Sequence, residues 1–261
     1  MNISVAFKNI LESLRTTAGL SDAIKKILWL YRLGGPKLNI MFDYAGPLRK
    51  TRLSVRNNNG ADVFIVSEVF QHECYHLAFE NKIKYIMDLG ANAGFTTIYF
   101  SRIFPGASFV CVEPIPENIA ALKRNLQLNK LNAVVFEAAA AVRDGSIMMD
   151  IGDLDYGNKV HDIPYGKQIG KRTILVNGLT ITNICRQLQW ERIDVLKIDI
   201  EGYEGILLNE NNAWLNLVGT IIMEIHEGIE IKHIKDILIM FHFNNHLYRR
   251  GNWIFSKTKI I

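Results

Sequence analysis

Between residue 83 and residue 257 the hydrophobic pattern switches repeatedly between two periods. Short apolar runs of strand length alternate with stretches where apolar residues recur every three to four positions, as in an amphipathic helix. Tyr85-Ile86-Met87 ends the first run, with the continuity of a strand covered on both faces. Ser108 to Val112, Ala133 to Phe136, Ile193 to Ile200 and Thr220 to Ile225 are the further strands. Helices are predicted over Thr97 to Arg102, Pro116 to Asn129, Thr182 to Gln189 and Ile231 to Phe241. Thr96 or Thr97 would cap the first and Thr182 the third. Asp144-Gly145 signals a hairpin turn into a strand over Ser146 to Ile151, with Arg172 to Val176 returning. Between these strands, Gly152 to Gly170 has no periodicity, the mark of a functional or disordered loop. Leu247 to Arg249 and Trp253 to Lys257 close the pattern around the turn Arg250-Gly251-Asn252. Strands alternating with helices predict an α/β domain on a mostly parallel sheet.

Residues 1–60 do not share this pattern and read as an N-terminal extension, with the α/β domain over 61–261. Met1 to Leu33 predicts one or two helices, broken near Gly19-Leu20-Ser21-Asp22. Ile24, Ile27, Leu28 and Tyr31 fall on one face, with Lys25, Lys26 and Arg32 on or beside the other. Such a basic amphipathic helix packs on its own domain, on another subunit in a homo-oligomer, or on a membrane surface. The stretch lacks a signal-peptide core and cleavage site, and no apolar run approaches a membrane span. Short strands are predicted over Leu38 to Phe42 and Leu53 to Arg56.

Composition adds little: 49% hydrophobic and 21% charged residues are ordinary for a globular chain. A net charge of +4 without a clustered basic face gives no case for nucleic acid. Cys74, Cys111 and Cys185 form neither a metal pattern nor an even disulfide set, so a reducing cytoplasm fits best.

The first strand runs through Asp88 into Gly90-Ala91-Asn92-Ala93-Gly94. Gly90 and Gly94 allow close backbone approach, and Asn92 tolerates positive φ. This is not the Gly-x-Gly-x-x-Gly of dinucleotide sites, and the acidic Asp88 would repel a phosphate. S-adenosylmethionine carries an amino group and a sulfonium but no phosphate, so the electrostatics favour it over NAD. Glu113 at the tip of the second strand is placed to hold both ribose hydroxyls, with Pro114 and Ile115 as an apolar edge for adenine. Glu137 or Ala138, after the third strand, would touch adenine or else mark a tight helix contact.

In Leu196-Lys197-Ile198-Asp199-Ile200-Glu201 three ionisable side chains project from one face near a strand's carboxyl end, where open parallel sheets bind ligands. They contact a ligand there, or Lys197 neutralises the two carboxylates. Glu224 and His226 end the next strand, and histidine is a natural proton acceptor near neutral pH. His72-Glu73-Cys74-Tyr75-His76 matches the zincin pattern, which on a helix could hold zinc. It lacks the third histidine of the metzincins, and a surface or subunit-contact helix is the plainer reading.

Together, Asp88-Leu-Gly90-Ala-Asn92-Ala-Gly94, Glu113-Pro114, the helix bearing Asn125 and Asn129, Asp144-Gly145, Lys197 to Glu204 and Glu224-x-His226 resemble the FkbM-type methyltransferases. That family uses S-adenosylmethionine within the class I Rossmann-like fold. The resemblance implies a mostly parallel seven-stranded sheet with an antiparallel last strand and helices on both faces. It further implies O-methylation, commonly of a sugar or other glycoconjugate hydroxyl. The cofactor would lie on Asp88, Gly90, Ala91, Asn92, Gly94, Thr96, Glu113, Pro114, Ile115 and Glu137 or Ala138. Asp199, Glu201 and His226 are the candidates for proton removal, in undecided order. A divalent metal on Asp199 with Glu201 or Glu224 could acidify the hydroxyl instead. Thr182 stands where the family more often has Asp. The rival function is a protein that binds S-adenosylmethionine and organises a glycan-synthesising complex through its N-terminal helices.

Overall fold

The computed structural model describes residues 3–17, 19–30, 37–42, 48, 50–56, 58, 60–79, 81–151, 159–160 and 172–260. The extension contains two helices, α1 (Ile3–Thr16) and α2 (Leu20–Leu30), beside an antiparallel pair, β1 (Lys37–Phe42) and β2 (Thr51–Arg56). In α2 the two faces named from the sequence are both partly exposed. Lys26 is buried and reaches Thr16 and Glu12, whereas Ile24 and Leu28 are exposed. Tyr31 and Arg32 lie outside the described residues.

Next comes α3 (Ala61–Val66), capped by Gly60 in the left-handed region, with Asp62 inside its first turn. The helix widens into a π-type turn over Ser67–Gln71 and stops. His72 to His76 therefore form a bend and turn, with Glu73 at φ 49, and the histidines are not one helical turn apart. That removes the geometric basis of the zinc reading. The carbonyls of Glu73 and His76 accept hydrogen bonds from Arg250 and Arg249 instead.

The remaining elements follow the predicted alternation. They are β3 (Tyr85–Leu89), α4 (Phe95–Ile103), β4 (Ser108–Val112), α5 (Pro116–Leu128), β5 (Ala133–Phe136), β6 (Ala139–Ala140), β7 (Gly145–Ile151), β8 (Lys159–Val160) and β9 (Arg172–Leu179). After these come α6 (Ile181–Leu188), β10 (Ile193–Ile198), α7 (Glu204–Asn209), β11 (Val218–Glu224), α8 (Ile231–Met240), β12 (Asn245–Arg249) and β13 (Asn252–Ser256). The main sheet has the order β12-β13-β11-β10-β3-β4-β5, and β13 alone runs antiparallel to its neighbours. Alternate residues of its inner strands enter two cores. Ile86, Val195 and Ile222 face α4 and α5, while Met87, Leu196 and Ile221 face α6 and α8. The chain steps outward from β3 through β4 to β5, then returns to the other side of β3 for β10. That reversal opens a crevice at the strands' carboxyl ends, where ligands of open α/β sheets bind.

Three local expectations are corrected. Gly94, at φ 80, occupies the cap position of α4, so Thr96 and Thr97 lie inside the helix. Thr180, not Thr182, caps α6 by accepting from the Asn183 N–H. The Asp144-Gly145 turn does not make a hairpin, because β9 runs between β6 and β7 in a second sheet of order β6-β9-β7-β8. Of the aperiodic stretch 152–170, only β8 falls within the described residues.

Candidate active site

A cavity of about 360 Å³ opens at the β3/β10 reversal, a size suited to a small molecule. Its walls come from Gly90-Ala91-Asn92 after β3, Val112 to Ile115 after β4, Lys197 to Glu201 around the end of β10, and Glu224 with His226 after β11. Asn118 and Thr96 line it from α5 and α4, and Ala139, Ala140, Met149 and Val160 of the second sheet form an apolar wall.

The turn after β3 is shaped by close approach. A Cβ on Gly90 would fall 1.8 Å from the Asp199 carbonyl oxygen, and Gly90 has φ 74. Gly94 does not line the cavity; a Cβ there would meet Leu122 at 2.5 Å, so it serves the contact between α4 and α5. Asn92, at φ 47, donates its N–H to Glu113 and accepts from Arg56. Arg56 also binds Asp62 and Asn118, tying β2, α3 and α5 to the cofactor turn.

Glu113 is buried and accepts from the backbone N–H groups of Asn92 and Ile115 and from the Asn118 amide. Burial pushes its pKa up, against those hydrogen bonds. Its Oε2 accepts only one of these three bonds, which leaves acceptor capacity for a ligand hydroxyl.

Asp88 occupies a different position from the one anticipated. It is buried and does not line the cavity. Its neighbours across the sheet are Lys197 and Cys111, and all three point to the α4 side. Its carboxylate accepts from Thr97 at 2.7 Å and pairs with Lys197 at 3.2 Å. Lys197 also donates to the Gly90 carbonyl and sits 3.5 Å from Asp199. Burial pulls its pKa down, but Asp88 and Asp199 outweigh this and hold it well above the usual lysine range. Asp88 thus fixes the lysine that fixes the glycine turn.

Beyond Lys197 the cavity wall is acidic. Asp199, Glu201 and Glu224 converge there with His226, joined by Glu68 from the π-type turn. His226 Nε2 is 3.3 Å from Glu201 and 3.9 Å from Asp199, and Nδ1 is 2.9 Å from Glu204. Burial lowers the His226 pKa, but hydrogen bonds to Glu201 and Glu204 overcome that and raise it to about 11. Glu224 is raised to about 7, mainly by burial and then by Asp199. Atoms of Asp199, Glu224 and His226 also stand within 4.8 Å of one another, close enough to share a cation.

Among the anticipated cofactor residues, Gly90, Ala91, Asn92, Thr96, Glu113, Pro114 and Ile115 line the cavity. Glu137 is exposed and paired with Lys123, and Ala138 is buried; neither lines the cavity. Reading the sequence did not find Arg56, Asn118, Glu68, Cys74 or Tyr75. The last two come from the segment that resembled a zinc motif.

The residues fit S-adenosylmethionine. The acidic end suits an amino group and sulfonium and disfavours a pyrophosphate, Glu113 offers one acceptor to a hydroxyl, and the apolar wall suits adenine.

Comparison with known proteins places the chain in a family. Residues 88–250 match the family model described as "Methyltransferase FkbM domain". "Methyltransferase 1" of Beauveria bassiana is 23% identical over 201 residues, 70% of this chain and 77% of that protein. "Methyltransferase sdnD" of Sordaria araneosa is 26% identical over 199 residues, 65% of this chain and 76% of that protein. Among solved structures, Aeropyrum pernix fibrillarin with bound S-adenosyl-L-methionine has a TM-score of 0.40 and 15% identity, covering 68% of this chain and 69% of its own. The N-terminal domain of human METTL16 with SAH has a TM-score of 0.38 and 10% identity over 98% of this chain and 93% of its own. The match over residues 88–250, more than half of the chain, shows that the chain belongs to the FkbM methyltransferase family.

Proposed function

We propose that this methyltransferase moves a methyl group from S-adenosylmethionine to a hydroxyl of a sugar or glycoconjugate. The observation that carries the reading is the carboxylate cluster of Asp199, Glu201 and Glu224 beside the cofactor cavity. Hydroxyl groups donate readily to carboxylates, and an alkyl hydroxyl needs its proton removed as the new C–O bond forms. When bound, S-adenosylmethionine supplies a methyl group on a sulfonium, which departs as a neutral thioether.

The side chains divide the remaining work. Glu113 and Asn118 hold the cofactor's ribose end, and Asp199 and Glu201 bind donors of the acceptor. Hydrogen bonds to Glu201 and Glu204 raise the His226 pKa to about 11 and favour its imidazolium form, which suits it to position Glu201 and balance its charge. Glu224 titrates near neutrality, which suits it to receive the hydroxyl proton.

Incubation with S-adenosylmethionine and a panel of sugars, each paired with its deoxy analogue, tests this reading. Mass spectrometry should find one CH₂ added only where the hydroxyl is present. Methylation of nitrogen or carbon, or binding without turnover as a scaffold would show, would sink it. Loss of activity in EDTA, restored by a divalent cation, would move the proton-releasing role to a metal on Asp199, Glu224 and His226.

A further inference from the structure

Among the described side chains of the N-terminal helical pair, several polar groups are buried while large apolar ones are exposed. Among the described side chains of α1 the buried ones are Ser13 and Thr16, joined by Thr17 just after the helix, while Ile10, Leu11 and Leu14 are exposed. Among the described side chains of α2 the buried ones are Ala23 and Lys26 and Ile27 is half-buried, while Leu20, Ile24 and Leu28 are exposed, Leu20 by 67%. The buried polar groups are fully provided for. The hydroxyls of Ser13, Thr16 and Thr17 donate to carbonyls one turn back. Lys26 donates to Thr16 at 3.1 Å, approaches Glu12 at 3.4 Å and lies over the Phe42 ring. Polar groups satisfied inward and apolar groups turned outward are the reverse of a helix that ends its packing on its own domain.

The charge around the outward residues selects what covers them. Lys8 and Arg15 are exposed on α1, and Lys25 is exposed on α2. Of the two described acidic residues, Glu12 is turned to Lys26 and Asp22 is paired with Lys25. A second copy would bring two cationic rims together, whereas an anionic bilayer surface offers phosphates to the rim and acyl chains to the leucines. No helix among the described residues is long and apolar enough to cross a membrane.

We propose that α1 and α2 form an interfacial anchor that lies on an anionic phospholipid surface, with Leu14, Leu20, Ile24 and Leu28 entering the headgroup boundary.

The test is co-sedimentation of the full chain with phosphatidylcholine vesicles, with and without phosphatidylglycerol. Binding should need the anionic lipid and weaken as salt is raised. The double substitution Leu14→Gln/Ile24→Gln should lower partitioning at least roughly tenfold, since burying one such side chain is worth about that factor. Met240→Gln, at an exposed apolar position of α8, should leave partitioning unchanged. Retained affinity for S-adenosylmethionine would show that both variants fold. No binding to anionic vesicles, or equal binding by the double variant, would overturn the proposal. So would a concentration-dependent dimer in analytical ultracentrifugation that the same double substitution abolishes, because the covering partner would then be a second copy.

Discussion

Glu204 Oε1 lies 2.9 Å from His226 Nδ1 and accepts, at the same oxygen, the backbone N–H groups of Ile200 and Gly202. One fully buried carboxylate thus sets both the imidazole and the bend that carries Glu201 at φ 56. Replacing Glu204 by Gln removes the charge that helps to hold the His226 proton and disturbs the bend. The His226 pKa, followed by NMR, should fall towards the ordinary histidine value, and turnover should drop by at least about tenfold. Cofactor affinity should change far less, because Glu204 does not line the cavity.

The Asp88–Lys197 pair is buried on both sides, so breaking it is costlier than deleting it. Asp88→Asn leaves Lys197 without its nearest counter-charge and should lower stability by about 3–5 kcal/mol in urea denaturation. Asp88→Leu with Lys197→Met should recover much of that stability but not the cofactor affinity, since Lys197 also holds the Gly90 carbonyl. Full affinity in the double variant would show that the pair has no part in shaping the turn.

Gly90→Ala combines a positive φ with collision against the Asp199 backbone. Its cost should reach or pass the upper end of the roughly 1–3 kcal/mol typical of overpacking. Gly106 also has a positive φ, 85, but opens on free space, so Gly106→Ala should lose only about 1 kcal/mol. Thermal unfolding of the two variants separates close approach from backbone strain.

Stability should fall as pH rises from about 5 to about 10. A group whose native pKa is raised gives its full stabilisation below its unfolded pKa and loses it as pH climbs through the native value. For Glu224 that window runs from 4.5 to about 7, and for His226 from 6.5 to about 11. Glu224→Gln should flatten the lower part of the profile and His226→Gln the upper part, in urea midpoints measured without cofactor. An unchanged slope in both variants would contradict the ionisation states assigned above.

What could be read in the sequence was local. Gly90, Asn92 and Glu113 follow their strands within a few residues, so strand ends and turn chemistry located them. Asp88 could be placed at a strand end, but its side is fixed by the pleat and by Thr97, which the sequence suggested as a cap. The Thr182-for-Thr180 exchange has a similar origin, since both residues can cap and only the backbone decides where the helix begins. Arg56 reaches Asn92 and Asn118 across 36 and 62 residues of chain, a juxtaposition that no local pattern encodes. Lys26 shows the limit of amphipathicity as evidence: the faces of α2 were legible, but the burial of Lys26 depended on Thr16 and Glu12 of another helix.

The β3/β10 crevice should accept a phosphate-free adenosyl cation and repel a dinucleotide. Isothermal titration calorimetry of the wild-type chain and of Glu113→Ala, with S-adenosylmethionine and then with NAD, measures this directly. The account predicts one molecule of S-adenosylmethionine per chain, affinity reduced at least about tenfold in Glu113→Ala, and no heat from NAD. Saturable NAD binding that S-adenosylmethionine does not displace, or equal S-adenosylmethionine affinity in both proteins, would contradict it.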